Sequence, residues 1–173
     1  MIFIFEGIDG SGKTTLARAF SKKARIQLLR YKRHFKLFSA TRYSEIEANF
    51  LNSILQVCKR DSFIIDRWHI SEKVYSCIFD RNYNRKFWKK IDAFLSDRAV
   101  IIYCDADAKV ASSRIKIFKR EKVDLTSLTA AKAAFDDALK TTSIKVIRID
   151  MNKSRAEQLS ELQKKLKSEK LVR

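Results

Sequence analysis

Apolar residues in this chain fall into short runs and into stripes at helical spacing. The runs at 2–5 (IFIF), 26–29 (IQLL), 62–66 (SFIID), 99–104 (AVIIYC) and 144–149 (IKVIRI) predict five strands. The run at 99–104 is continuous, as in a strand buried on both faces. The run at 144–149 alternates, as an edge strand does. Stripes of a different period lie between the runs. They are formed by Ile46, Phe50, Leu51, Ile54, Leu55 and Cys58, by Phe87, Trp88, Ile91, Phe94 and Leu95, and by Val110, Ala111, Ile115 and Phe118. A last stripe, Leu159, Leu162 and Leu166, follows the capping pattern Ser154-x-x-Glu157, and Ser44-x-x-Glu47 precedes the first. Strand alternating with helix predicts an α/β fold, a five-stranded parallel sheet covered by helices on both faces. No repeat, linker or low-complexity block interrupts residues 1–173, so one domain is expected.

Composition narrows the class. No apolar run approaches the ~20 residues of a membrane helix, so no membrane association is expected. The apolar start has neither a basic leader nor a cleavage site, which argues against a targeting peptide. Cys58, Cys77 and Cys104 have unrelated spacings, read as buried reduced thiols in a cytoplasmic protein. The formal net charge of +17 asks for an anionic partner, a nucleic acid, a nucleotide or a membrane surface, or else marks a solvated basic surface. Charge alone does not choose among these, and nucleic-acid binding is not the favoured expectation.

Glycine changes the picture most. The chain has three, all within GIDGSGKTT at 7–15, where average usage would give about 12 along the whole chain; proline is absent. Gly7-x-x-x-x-Gly12-Lys13-Thr14 fits the phosphate-binding loop pattern, between a predicted strand and the helix-like KTTLARAFSKKA. Such a loop wraps a polyphosphate with backbone N–H groups, and side chains would block that approach. Gly7, Asp9, Gly10, Ser11, Gly12, Lys13, Thr14 and Thr15 are thus the candidate ATP-binding set. Lys13 would reach the terminal phosphates, and Thr14 would ligate Mg²⁺. Asp66 closes an apolar run where an acid can hold the same ion. The guanine-reading pattern Asn-Lys-x-Asp is missing, since MNKSR lacks the acid, and this makes a GTP switch a poor fit.

FEGIDGSGKTT (5–15) resembles the opening of the thymidylate kinase family, and FIIDRWHISEKVYS (63–76) resembles its Asp-Arg-aromatic-x-x-Ser-x-x-x-Tyr segment. The stretch VIIYCDADAKVASSRIKIFKREKVD (100–124) is similar to that family's fourth strand, helix and arginine-bearing lid. The resemblance implies a P-loop kinase fold with a lid at about 119–128. It implies transfer of the ATP γ-phosphate to a deoxynucleoside monophosphate such as dTMP, with Mg²⁺ as cofactor, and a homodimer. Arg67 would clamp the acceptor phosphate, and Asp9 would reach the sugar 3′-hydroxyl. Glu6 would support the same area or serve the fold. Thr41-Arg42 matches the start of the family's Thr-Arg-Glu-Pro-Gly, but Glu-Pro-Gly is absent, so base specificity is open. Arg42 and Trp68 are further acceptor-side candidates, with Phe35 and Phe38 as stacking partners or core. The loop itself holds no basic residue before Lys13, which sends catalytic charge to Arg120 first and then Arg114, with Lys119 and Lys122 behind them. Two alternatives remain: a deoxynucleoside kinase, suggested by Ser71-Glu72-x-Val74-Tyr75, and a polynucleotide 5′-kinase or nucleic-acid-binding P-loop protein, suggested by charge and by the basic stretch at 22–36.

Overall fold

The computed structural model describes residues 1–30, 61–80, 85–119 and 124–172, with positions 49, 53 and 56. Five strands, β1 (Ile2–Glu6), β2 (Gln27–Arg30), β3 (Phe63–Asp66), β4 (Ala99–Asp105) and β5 (Lys145–Asp150), form one parallel sheet in the order β2-β3-β1-β4-β5. The described helices are α1 (Lys13–Ala24), α2 (His69–Ile78), α3 (Arg85–Leu95), α4 (Ala108–Lys119), α5 (Leu125–Lys140) and α6 (Arg155–Ser168). The expected sheet is therefore present, and its first strand is central. The alternating β5 lies at one edge, as its pattern predicts.

β1 explains the layering. All its residues are buried, and successive side chains point to opposite faces. Phe3 and Phe5 face α1 and α6, where they join Leu16, Ala17, Phe20, Leu162 and Leu166. Phe3 meets Phe20 edge-on, with ring centroids 5.4 Å apart. Ile2 and Ile4 face the other layer, with Trp68, Val74, Trp88, Ile91, Ala111 and Phe135. His69 Nε2 lies 3.2 Å from Asp92 Oδ1 and ties α2 to α3. Burial opposes the charge of Asp92, but hydrogen bonds from His69, Thr142 and Ser143 outweigh it and hold the carboxyl well below its usual range.

Two expectations need correction. Phe94 is 42% exposed, outside the core stripe. Trp88, Ile91 and Leu95 already cover that face, and Phe94 packs instead under the Arg98 guanidinium at 4.7 Å. Cys77 is exposed on α2, although Cys104 is buried as expected. The expected lid at 119–128 falls in part, at 120–123, outside the described residues; beyond that stretch Asp124 caps α5 by accepting from Thr126 N and Ser127 N. The stripe at 46–58, together with Cys58, Phe35, Phe38, Arg42, Arg120 and Lys122, falls outside the described residues, as do the side chains of Phe118 and Lys119. Among the described residues no helix is long and apolar enough to cross a membrane.

Turns that other proteins give to glycine are made here by other residues. Arg25 (φ 56°), Asp80 (φ 45°) and Lys170 (φ 55°) take left-handed backbone. Arg25 and Lys170 do so at the ends of α1 and α6.

Candidate active site

The site forms where β1, β3 and β4 end side by side. Register pairs Phe5 with Asp66 and Glu6 with Tyr103, so everything after Glu6 emerges at one rim of the sheet. Residues 7–12 form the loop there, and α1 starts at Lys13. Gly12 caps α1 with left-handed backbone and no side-chain bond, and the first turn holds no acid. By contrast, α5 is capped by Asp124 and α6 by the Ser154–Glu157 capping box. The first N–H groups of α1 thus face the rim without a competing anion, which suits a phosphate.

Glycine in the loop has a second cause besides ligand approach. A Cβ on Gly10, already at φ 76°, would stand 2.3 Å from the Ala111 carbonyl oxygen of α4. One on Gly7 would stand 2.7 Å from the Cys104 carbonyl oxygen of β4. The loop therefore lies against protein backbone on its inner side. Ser11 Oγ is buried in it with no hydrogen-bond partner among the described residues.

Lys13 is 7% exposed and donates to the Ile8 carbonyl at 3.2 Å. Burial, and next the nearby Arg67 cation, lower its pKa to about 8. Thr14 Oγ1 donates to Asp66 Oδ2 at 2.7 Å. A hydroxyl and a carboxylate, both hard oxygen donors, at the start of a phosphate-facing helix fit Mg²⁺, which keeps most of its water and takes few protein ligands.

Arg67 leaves β3 in left-handed backbone (φ 72°), and its N–H is held by the Phe5 carbonyl at 2.9 Å. Its guanidinium donates to Asp9 Oδ1 at 2.8 Å and lies 4.9 Å from the centre of the Tyr75 ring. Burial opposes its charge, but Tyr75 and Asp9 hold its pKa above the usual arginine value. Tyr75 Oη donates to Asp9 Oδ2 at 3.5 Å. Asp9 is half-exposed, and Lys13 Nζ approaches it to 4.0 Å, so one carboxylate stands between two cations.

The structure brings Asp9, Lys13, Thr14, Asp66 and Arg67 together as a cluster. Thr15 is exposed on the first turn of α1. Trp68 does not offer a ring to the rim. It is 2% exposed, within the core beside His69. Arg114 is two turns inside α4 instead of in a lid. It donates to the Ser11 carbonyl at 3.1 Å and the Met151 carbonyl at 2.8 Å, bracing the loop against the turn after β5. Arg42 and Arg120 lie outside the described residues.

Tyr75 escaped sequence reasoning as a site residue, and Glu6 was expected to support the area or to serve the fold. Tyr75 ends the segment that contains Arg67, and its eight-residue offset placed it two helical turns on. Glu6 is fully buried. It accepts from Trp68 N at 2.9 Å, Ser71 N at 3.3 Å and Ser71 Oγ, and so caps α2 from the neighbouring strand. A buried acid just before a glycine loop was the available signal, but its partner is 62 residues away.

The sequence matches no family model and no curated protein. Solved structures do match. The YorR protein of Bacillus subtilis, in complex with phosphorylated GDP, aligns with a TM-score of 0.79 at 19% identity, over 100% of this chain and 99% of that one. Deoxyadenosine kinase from M. mycoides, with products dCMP and a flexible dCDP bound, gives 0.66 at 17% identity, over 97% and 100%. A gluconokinase from Sinorhizobium meliloti 1021 gives 0.57 at 12% identity, over 92% and 87%. At these identities the likeness is one of fold: the chain shares its five-stranded parallel α/β fold with these neighbours.

Proposed function

We propose that this protein is an ATP- and Mg²⁺-dependent nucleoside monophosphate kinase of the thymidylate kinase type, acting on a deoxynucleoside 5′-monophosphate such as dTMP. What supports the reading is the placement of a second cation, Arg67, beside the phosphate-loop lysine at the rim. Arg67 stands close enough to Lys13 to help lower its pKa, and Asp9 contacts both. A guanidinium in that place gives an acceptor phosphate a partner and offsets the repulsion between two phosphate groups that must approach one another.

In this reading Lys13 binds the β- and γ-phosphates of ATP. Thr14 and Asp66 hold Mg²⁺, which neutralises charge on the transferring group. Arg67 binds the acceptor phosphate through two parallel N–H bonds, and Asp9 receives the sugar hydroxyl. An acceptor phosphate oxygen then attacks the γ-phosphorus, the bond to the β–γ bridging oxygen breaks, and ADP leaves. Arg114 positions the loop. Arg120 and Arg42 are the remaining candidates for charge on the transferring and accepting phosphates. The cytoplasm is the expected compartment, and the homodimer implied by the family resemblance is checked by mass in solution.

A deoxynucleoside kinase is the second reading, supported by the near-complete alignment with deoxyadenosine kinase. Labelled phosphate transfer from ATP to the four deoxynucleoside monophosphates, their nucleosides and a 5′-hydroxyl oligonucleotide tests both readings. Transfer to monophosphates is expected. Transfer to nucleosides alone would establish the second reading, and transfer to the oligonucleotide alone would overturn both.

A further inference from the structure

The charge of +17 is not spread evenly over the fold. Residues 13–30 carry Lys13, Arg18, Lys22, Lys23, Arg25 and Arg30 and no acid. The end of α6 adds Lys164, Lys165, Lys167 and Lys170. These two helices lie side by side on one face of the sheet, joined through Leu16, Ala17, Phe20, Leu162 and Leu166. Ala24, Leu171 and Val172 pack against the same cluster, so the last turn of α6 lies close to the end of α1.

Acids near this face are already engaged. Glu161 pairs with Lys153 and Lys165, Glu169 pairs with Lys145, and Glu157 closes the capping box. Arg18, Lys22, Lys23, Arg25, Lys164 and Lys167 are all exposed, as is Lys170, and none has an ion-pair partner among the described residues. Both helices run away from the rim that carries the phosphate loop. At 1.5 Å per residue the end of α1 lies on the order of 15 Å from Lys13, so Lys22, Lys23 and Arg25 do not serve the nucleotide site.

Their neighbours define the partner. Among the described residues the large exposed apolar side chains are Phe79, Phe94, Ile117 and Leu125, and none is on α1 or α6. These two helices thus carry neither the apolar wedge of a membrane-surface helix nor the aromatic platform of a single-strand binder. What it offers is a field of unpaired cations on two parallel ridges, which matches the regular charge of a phosphodiester backbone.

We propose that the α1–α6 face binds the backbone of a nucleic-acid duplex without reading sequence, at a site separate from the phosphate loop. This inference stands independently of the phosphoryl-transfer reading. The test is fluorescence anisotropy of a labelled DNA duplex, and of an RNA duplex of the same sequence, with the full chain across about 50 to 200 mM salt. The variants are Lys22→Ser, Lys23→Ser, Lys164→Ser and Lys167→Ser combined, and the same four positions changed to Arg.

Wild type should bind at least one duplex, with affinity falling steeply as salt rises. The Ser variant should bind at least about tenfold more weakly at low salt, with a log–log slope shallower by roughly 3 to 4, and the Arg variant should bind as wild type does. Saturating Mg²⁺-ATP should leave binding unchanged relative to a control of equal ionic strength and free Mg²⁺. A Ser variant with wild-type affinity, competition by ATP, or binding to phosphatidylserine vesicles with no duplex binding would each overturn the proposal. Equal circular dichroism and melting temperature of the variants confirm that the fold is intact.

Discussion

Asp66 Oδ2 accepts a 2.7 Å hydrogen bond from Thr14 Oγ1, joining two residues 52 positions apart, one at the end of β3 and the other in the first turn of α1. Parallel pairing of β1 with β3 brings them together, with Asp66 level with Phe5. If this pair holds the ion, Asp66→Asn keeps the shape but removes the charge that Mg²⁺ needs. We expect ATP to bind in the absence of Mg²⁺ as it does to wild type, while the added affinity that Mg²⁺ confers falls at least about tenfold, the loss of one charge-assisted contact. Calorimetric titration of ATP with and without Mg²⁺ checks this.

Glu6 holds the turn that presents Arg67. Glu6→Ala leaves the N–H groups of Trp68 and Ser71 without their acceptor in a buried region. The expected loss of stability is about 1–3 kcal/mol, read from denaturant unfolding. Glu6→Gln keeps one carbonyl oxygen as acceptor and should lose less. Equal stability of Glu6→Ala and wild type would contradict the role assigned to this side chain.

Lys13 gives the site a pH dependence. Its pKa in the free protein is lowered to about 8, and bound polyphosphate favours the ammonium form. Below pH 8 the lysine is already charged, so ATP binding takes up little proton. Above pH 8 binding must recruit one, and ATP affinity should fall by up to about tenfold per pH unit, since one pKa unit is 1.36 kcal/mol. Calorimetry in buffers of different ionisation enthalpy should show proton uptake near pH 9 and little at pH 6.5. Lys13→Ala should abolish the dependence.

The scarcity of glycine has a thermodynamic consequence. Arg25 and Lys170 hold left-handed backbone at helix ends, where glycine avoids the Cβ clash. Arg25→Gly and Lys170→Gly should each stabilise the protein by about 0.5–1 kcal/mol, the steric relief less the added entropy of the unfolded chain. Thermal melting measures it. The same change at Arg67 removes the guanidinium and is not expected to preserve function.

Periodicity read the sheet well because each strand is a compact apolar run whose burial on one or both faces leaves a local imprint. The loop and the first helix were legible for the same reason, since a phosphate cradle demands glycines at fixed spacing. Phe94 was misplaced because an apolar residue beside a stripe looks like part of it, and only packing shows that Trp88, Ile91 and Leu95 fill the contact. Glu6 and Arg114 could not be read in full. Their partners, Trp68, Ser71, Ser11 and Met151, are brought to them by the sheet order, which no local pattern encodes. Trp68 looked like a surface ring beside Arg67, but the chain turns at Arg67 and sends the indole into the core.

The central claim is that Arg67 exists to hold an acceptor phosphate. The most direct measurement is kcat/KM for dTMP and for thymidine, with ATP saturating, in wild type and Arg67→Ala. Wild type should prefer dTMP, and the substitution should lower kcat/KM for dTMP by about 10³-fold, the lower range for a catalytic arginine in phosphoryl transfer, while any activity on thymidine changes far less. Wild-type activity of Arg67→Ala on dTMP, or an equal loss on both acceptors, would contradict the claim.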